Sequence, residues 1–430
     1  MTDTDSLNVW YGDQLVGQLW RNRQGLIGFR YDEDWLTPGK FAVSLQLPLQ
    51  ENDYPAEEGG IAHRFFANLL PEAGVRDQIV RDLKIPNTDF DLLRAIGGEC
   101  AGALSLLPAE REPDKNNNYR KLDEENLIQL IRRRGQILIS KDPKNRRPRF
   151  SLAGVQNKCP VLIKRGRYYL PVREAPTSHI LKFEIPDYSN IPAYETYTTL
   201  LAANVGLPAV EIDLRRLDKH YFTVIKRYDR LENNEGEIIR LHQEDFCQAL
   251  GYSYNNKYEN VQGPSFPDCY QLVRDNSSDP VTDAECLLKW LIFNYIAGNS
   301  DGHVKNLSLL YKGNEEIRLA PFYDLVCTQA INRISTQLAF GIGGNSDPGH
   351  ITRKNWETLA KNCDIGSRYL LNLLLKTTEH ISDAATEVKK IFESNHGDYH
   401  ALQRIVHIIH EQHRLVSALY RGKIASPRSQ

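Results

Sequence analysis

The sequence predicts an α+β fold in two parts, a mixed sheet-and-helix region followed by an all-helical C-terminal lobe. Three observations carry this. Residues 7–31 alternate apolar and polar positions with the period of half-buried strands. Residues 149–228 hold a second series of strand-like runs with one helix among them. From about residue 243 the apolar spacing becomes helical and, two short runs apart, stays so to 421.

Taken in order, 7–12, 15–20 and 26–31 are short strands, separated at Gly12-Asp13 and Asn22 to Gly25. They read as an antiparallel meander. Residues 61–83 place Phe65, Leu69, Leu70, Val75, Ile79 and Leu83 at helical spacing, interrupted by Pro71. A helix over 89–96 closes at Gly97-Gly98. AGALSLLP then reads as a strand. Residues 109–121 are polar and carry Pro113 and Asn116 to Asn118, which predicts a linker before a helix at 122–134. RFSLAGVQNK predicts a strand and a glycine-containing turn, followed by strands in CPVLIK, YYLPV and HILKFEI. Pro192 opens a helix over 192–204, and strands follow in AVEIDLRRL and YFTVIKRY. The apolar segment 282–297 is a helix with Asp283 as its N-cap and Gly298 as its stop. Short strands fall at 307–311 and 317–320, and 354–421 is helical. The expected divisions are 1–135, 136–245 and 246–430.

The 430 residues carry 53 Lys and Arg against 55 Asp and Glu, a formal charge of −2. Such a chain is not built mainly to coat nucleic acid, although a local basic patch is compatible with it. With 41% hydrophobic and 25% charged residues it is neither disordered nor fibrous. No apolar run reaches the roughly 20 residues that span a bilayer, and MTDTDSLNVW lacks the features of a signal peptide. A cytoplasmic location is expected. The seven cysteines show no C-x-x-C spacing and read as reduced, mostly buried thiols. His407, His410 and His413 share a helix face but lack an H-E-x-x-H companion, so a solvated face is the simpler reading. Lys141, Lys144, Arg146, Arg147 and Arg149 form a basic stretch, either a solvated loop or one that attracts phosphate.

The most informative segment is GNSDGHVKN, between the 282–297 helix and the next strand. Asp301 and Asn306 have the Asp-to-Asn separation of a protein-kinase catalytic loop, in which the Asp accepts a hydroxyl proton and the Asn holds magnesium. Asp324 follows the next strands, where a kinase keeps its main metal ligand. Magnesium wants oxygen ligands, which Asn306 and Asp324 supply. The same template asks for a lysine on an upstream strand and a glutamate on the following helix; Lys182 and Glu195 stand in those places. Alone, Lys182 reads as an ordinary strand lysine and D-x-x-x-x-N as a chance match. The full order Lys182, Glu195, Asp301, Asn306, Asp324 is hard to obtain by accident, and it points to a two-lobed kinase-like fold. No G-x-G-x-x-G precedes Lys182; Ser151 to Lys158, SLAGVQNK, takes its place as either a phosphate loop or a plain turn.

SLAGVQNK, ILKF, RLHQEDFCQ, DGHVKN and the upstream GGECAGALS together resemble the HipA-type serine/threonine kinases, toxins of type II toxin–antitoxin modules, over nearly the whole chain. The resemblance implies Asp301 as catalytic base, Asn306 and Asp324 as Mg²⁺ ligands, and Lys182 on the ATP phosphates. It implies Ser151, Gly154, Gln156 and Lys158 as the phosphate loop, with Ser151 autophosphorylated and the loop then ejected. Lys226 to Tyr228 would meet the adenine through backbone atoms, with Lys226 standing where the family has an acidic residue. His303 and Lys305 flank the catalytic Asp, His303 as a brace of the loop and Lys305 as a nucleotide contact, and Glu195 comes from the general kinase layout. The implied partners are a helix-turn-helix antitoxin of the HipB kind, operator DNA reached mainly through that antitoxin with the toxin as corepressor, and a protein substrate such as an aminoacyl-tRNA synthetase. Two other readings stand beside the kinase toxin: a non-catalytic subunit that binds antitoxin and operator, and a kinase of a small molecule.

Overall fold

The alternating runs at the start of the chain pair as strands because their apolar positions share one face. In the computed structural model, residues 6–114, 116–136, 148–154, 156–313 and 316–420 are described. The chain divides into two compact units. One comprises Met1–Phe183, Arg215–Asn255 and Ser308–Arg318; the other comprises Glu184–Leu214, Asn256–Leu307 and Leu319–Gln430.

In the first unit, β1 (Ser6–Tyr11), β2 (Gln14–Arg21) and β3 (Ile27–Tyr31) form the meander. Helices α1 (Ile61–Ala67), α2 (Ala73–Leu83) and α3 (Asp89–Ile96) follow. Strand β4 (Leu104–Pro108) then pairs with β1 and completes a sheet of order β3-β2-β1-β4. Leu7, Val9, Leu19, Ile27 and Phe29 bury their side chains with Phe65, Phe66, Phe90 and Leu93 in one core. Gly17 has no alternative in this sheet, because a Cβ there would lie 2.2 Å from the Arg30 carbonyl oxygen. Pro71 separates α1 from α2, and the Thr88 hydroxyl caps α3 by accepting from the Asp91 N–H at 3.1 Å.

The second sheet contains β5 (Tyr119–Lys121), β6 (Lys158–Lys164), β7 (Arg167–Pro171), β8 (His179–Phe183), β9 (Ile212–Leu217) and β10 (His220–Lys226), in the order β5-β7-β6-β8-β10-β9. Helix α4 (Glu124–Arg132) follows β5 and begins at the Asp123 cap. Two expectations change here. The linker around Tyr119 contains an edge strand, because β7 offers a free edge and Tyr119 donates its hydroxyl to the Pro176 carbonyl at 2.8 Å. Of the strand and turn expected in RFSLAGVQNK, no strand forms among the described residues before Lys158. The segment's backbone groups go to three separate partners: Arg149 N–H to Arg173, Ser151 N–H to Glu99, and the Gly154 carbonyl to Glu72.

A hairpin of β11 (Arg230–Glu232) and β12 (Ile238–Arg240) precedes β13 (His242–Asp245), where helical structure was expected. Strand β13 instead joins β14 (Ser308–Lys312) and β15 (Glu316–Leu319) in a three-stranded sheet. Asp245 and Gln248 then form a capping box that starts α6 (Phe246–Ala249).

The second unit is built on α5 (Ile191–Asn204), α7 (Phe266–Asn276), α8 (Pro280–Ala297), α9 (Arg353–Asn362), α10 (Ser367–His396) and α11 (Leu402–Tyr420). Helix α10 packs along α5, α8, α9 and α11. Asp283 is not the cap of α8. Pro280 sets the first turn further upstream, Asp279 caps it, and Asp283 lies inside the helix. There its buried carboxylate accepts from the Leu319 N–H at 2.9 Å and the Ser277 hydroxyl at 2.6 Å. All seven cysteines are free thiols, six of them buried, while His407 and His410 are exposed and His413 half-buried. Among the described residues no helix is long and apolar enough to cross a membrane.

Glu244, on β13, is fully buried and accepts from the Ser44 hydroxyl at 2.5 Å, the Leu45 N–H at 3.1 Å and the Tyr311 hydroxyl. Burial raises its pKa from 4.5 to about 7 despite these donors. The folded state therefore binds a proton that the unfolded state has released, and stability falls as pH rises between 4.5 and about 7. Glu244→Gln should flatten this limb of a urea-measured stability profile; an unchanged slope would assign it to other groups.

Candidate active site

The C-terminus of α8 delivers the segment predicted as a catalytic loop. Gly298 ends the helix at φ +70°, and a Cβ there would lie 3.0 Å from the Ile408 side chain. Each following residue is tied down. Asn299 donates through its N–H to the Asn294 carbonyl at 2.9 Å and through its amide to Asn294 Oδ1 at 2.8 Å. The Ser300 N–H donates to Thr328 Oγ1 at 2.7 Å and its hydroxyl to the Thr336 carbonyl at 2.9 Å. The Asp301 N–H reaches Asn299 Oδ1 at 3.1 Å.

Asp301 is exposed, whereas Gly302 to Asn306 are buried. The Asn306 side-chain amide donates to the Asp301 carbonyl at 2.9 Å, and the His303 N–H donates to the same oxygen at 2.8 Å. The loop thus closes on itself across the D-x-x-x-x-N span. An amide that donates through nitrogen presents its oxygen as the metal-ligating end, which is the atom type magnesium prefers. His303 packs its ring edge-on against Tyr258, with centroids 5.0 Å apart.

Asp324 is half-buried and holds φ +55°, a left-handed conformation that Asp tolerates better than most residues. The neighbouring backbone imposes it. The Phe322 N–H donates to the Pro208 carbonyl at 2.7 Å, and the Val210 N–H donates to the Phe322 carbonyl at 3.0 Å. Tyr323 donates its hydroxyl to the Lys305 carbonyl at 2.8 Å, joining the Asp324 segment to the catalytic loop. The second unit therefore brings together Asp301, His303, Lys305, Asn306 and Asp324. Glu195 is buried in α5 of the same unit. Among the described residues no group of three or more His, Cys, Asp or Glu gathers to hold a metal. A magnesium ion at Asn306 and Asp324 would complete its shell with phosphate and water oxygens, as this ion commonly does.

The remaining expected residues lie in the first unit. Lys182 is buried on β8, directly opposite Lys158 on β6 and Thr223 on β10. Opposed residues of an antiparallel pair share a face, so Lys158 and Lys182 project from the same side of the sheet. Lys158 also donates to the Ala153 carbonyl at 2.9 Å, and Gln156 donates to the Phe183 carbonyl at 3.1 Å. Gly154 sits at φ +109°, where a Cβ would come 3.0 Å from Lys158 Nζ. Ser151 is 1% exposed and donates its hydroxyl to the Leu69 carbonyl at 2.7 Å. Lys226, at the end of β10, is exposed, and the Tyr228 hydroxyl meets Gln243.

Arg149 corrects the reading of the basic stretch. It is a buried side chain that donates to the carbonyls of Arg94 and Ala95 at the end of α3 and of Leu106. Helix C-termini attract cations for this reason. Lys141, Lys144, Arg146 and Arg147 lie outside the described residues.

Between Lys226 and Tyr228, Arg227 points into a buried ionic cluster that sequence reasoning missed. Glu99 is fully buried and accepts from Arg227 at 2.9 Å, from Arg230 at 3.2 Å and from the Thr177 N–H at 2.9 Å. Asp229 binds the same two arginines at 2.8 Å and accepts from the Gly102 N–H at 2.8 Å. Burial alone would raise the Glu99 carboxyl, but Arg227, Arg230 and Arg240 outweigh it and hold it below its usual range. The available signals were two separate segments, GGEC at 97–100 and the alternating charges R-Y-D-R at 227–230.

A family model described as the HipA N-terminal domain matches residues 7–107, and one described as the HipA-like C-terminal domain matches residues 150–395. The chain belongs to the HipA family. A Sinorhizobium fredii protein named "Putative kinase Y4mE" is 35% identical over 90% of this chain and 93% of its own. A Shewanella oneidensis protein named serine/threonine-protein kinase toxin HipA is 28% identical over 90% of this chain and 89% of its own. Among solved structures, one from a Shewanella oneidensis complex of HipA, HipB and operator DNA matches with a TM-score of 0.80. It is 25% identical and covers 97% of this chain and 100% of that one. The HipA family is one of serine/threonine kinases, and this chain is a kinase of that family.

Removing Glu99 would leave Arg227 and Arg230 buried with too few anions. Glu99→Ala should cost about 3–5 kcal/mol of stability. The depressed carboxyl contributes stability that is present above 4.5, its ordinary value, and is lost as pH falls below it. Denaturant unfolding at neutral and acid pH should show the variant losing most of this acid limb.

Proposed function

We propose that the chain transfers the γ-phosphate of ATP to a serine of a target protein, such as an aminoacyl-tRNA synthetase, as the toxin of a toxin–antitoxin module. The observation that carries this reading is the closed Asp301–Asn306 loop, tied through Tyr323 to Asp324. Asp301 accepts the acceptor hydroxyl's proton. Asn306 and Asp324 hold Mg²⁺, which when bound supplies charge neutralisation on the phosphates. Lys182, with Lys158 opposite it, draws the phosphates, while Gly154 and Gln156 shape the loop near them. Lys226 and Tyr228 border the adenine, Lys305 is a further nucleotide contact, Glu195 takes the glutamate's place in the kinase layout, and His303 braces the catalytic loop. A HipB-like helix-turn-helix antitoxin is the partner, and operator DNA is reached mainly through it.

We extend the proposal to Ser151 as an autophosphorylation site. Its hydroxyl is buried against the Leu69 carbonyl. Phosphate would remove that donor and bring about −1.5 to −2 charges, so the loop must leave this packing. Cations that could receive it do not include Arg149, whose guanidinium is committed to α3.

Incubation with labelled ATP and magnesium, alone and with a bacterial lysate, tests the main reading. Asp301→Asn and Asp324→Asn should each lower phosphorylation by roughly 10³-fold or more with the fold intact. Full activity in Asp301→Asn would remove that residue from its role, and label found only in a metabolite would replace the protein substrate. For the switch, protein stoichiometrically phosphorylated at Ser151 should bind ATP–magnesium more weakly than unmodified protein. Ser151→Ala should lose only about 1 kcal/mol of stability. Equal nucleotide affinity of the two forms would make Ser151 purely structural.

A further inference from the structure

Asp301 receives a hydrogen bond from outside its own loop. The Tyr258 hydroxyl donates to Asp301 Oδ1 at 2.6 Å, a length typical of a hydroxyl on a charged carboxylate. Tyr258 is 43 residues upstream, yet several contacts fix it in place. Its ring meets the edge of His303 with centroids 5.0 Å apart at 84°. The Lys257 ammonium lies 5.6 Å from its centroid. Its carbonyl accepts from the N–H groups of Val261 and Gly263, at 3.1 and 3.0 Å, and the Lys257 carbonyl accepts from the Val304 N–H at 3.4 Å. The phenol is thus a fixture of the loop that carries the candidate base.

We infer that Tyr258 is a positioning residue that sets the orientation of the Asp301 carboxylate toward the acceptor hydroxyl. The inference rests on the kinase reading of Asp301. A carboxylate offers about four lone-pair sites, so a phenol on one oxygen still allows it to take a proton. A carboxylate at the end of a freely turning side chain would spend part of its time facing away from the acceptor. The phenol removes that freedom before substrate arrives, as preorganisation requires. His303 acts in the same assembly by holding the ring, which gives the histidine of D-G-H-V-K-N a role without proton transfer. A displaceable gate is the opposite idea: there the phenol occupies the acceptor's place and must leave before reaction. The two make opposite forecasts for loss of the hydroxyl.

The test uses the full chain with ATP and magnesium, reading ADP formation and incorporated phosphate, for wild type, Tyr258→Phe, Asp301→Asn and the double variant. Positioning forecasts a kcat about tenfold lower in Tyr258→Phe, with KM for ATP changed less than twofold, because Asp301 faces the acceptor rather than the nucleotide. The double variant should be no slower than Asp301→Asn alone, since the hydroxyl acts only through that carboxylate. Tyr258→His offers a ring that can still donate and should recover part of the rate. A kcat in Tyr258→Phe equal to or above that of wild type overturns the inference while leaving the kinase reading standing. So does a loss that appears wholly in KM for ATP. An Asp301→Asn chain as active as wild type, or a wild type that transfers no phosphate, overturns both.

Discussion

Glu99 is the residue on which the Arg149–Ser151 segment of the first unit hangs. Its backbone N–H donates to the Arg149 carbonyl at 2.7 Å, and its carbonyl accepts from the Ser151 N–H at 2.8 Å. Its carboxylate binds Thr177, Arg227 and Arg230. One buried residue therefore spaces the start of the candidate phosphate loop, the approach to β8 and the segment after β10. Charges taken out of water are costly unless they are matched, and here two carboxylates and two arginines pair with one another and with backbone groups. Such a cluster tolerates few alternative arrangements. It specifies how these segments meet more than it adds net stability.

The candidate catalytic loop is held by a different kind of chemistry. Asn294, Asn299, Ser300 and Thr328 are neutral, buried, and engaged with backbone groups or with one another. A neutral frame holds the loop backbone without placing further charge beside its exposed carboxylate. The left-handed Asp324 follows a segment fixed by backbone bonds around Phe322. The hydroxyl of Tyr323 then connects the two segments without adding charge.

Burial is used differently in the two settings. Around Glu244, a carboxyl without an opposing cation is raised by burial, and the proton is the cheaper companion. Around Glu99, arginines are packed close enough to reverse the same effect. Lys158 and Lys182 form a third case, two residues of like charge opposed in register across a strand pair. Each arrangement is set by which partners the fold brings within hydrogen-bonding distance.

The sequence by itself determined the meander, the division of 61–83 at Pro71, the α8 stop at Gly298 and the helical tail. Apolar period, proline and glycine act within a few residues and leave a direct record in the chain. It also determined the order Lys182, Glu195, Asp301, Asn306, Asp324, because the kinase layout is defined by order along the chain. The tertiary structure decided what depends on distant partners. Tyr119 became a strand because β7 had an edge to offer. Asp283 changed from a cap to a buried acceptor for Leu319, and Arg149 turned from a surface cation into a plug for the end of α3. The Glu99 cluster and the Tyr258–Asp301 bond join residues more than 40 positions apart. A hydrogen bond or ion pair is chosen by distance and desolvation in the folded chain, and neither leaves a period or a spacing in the sequence.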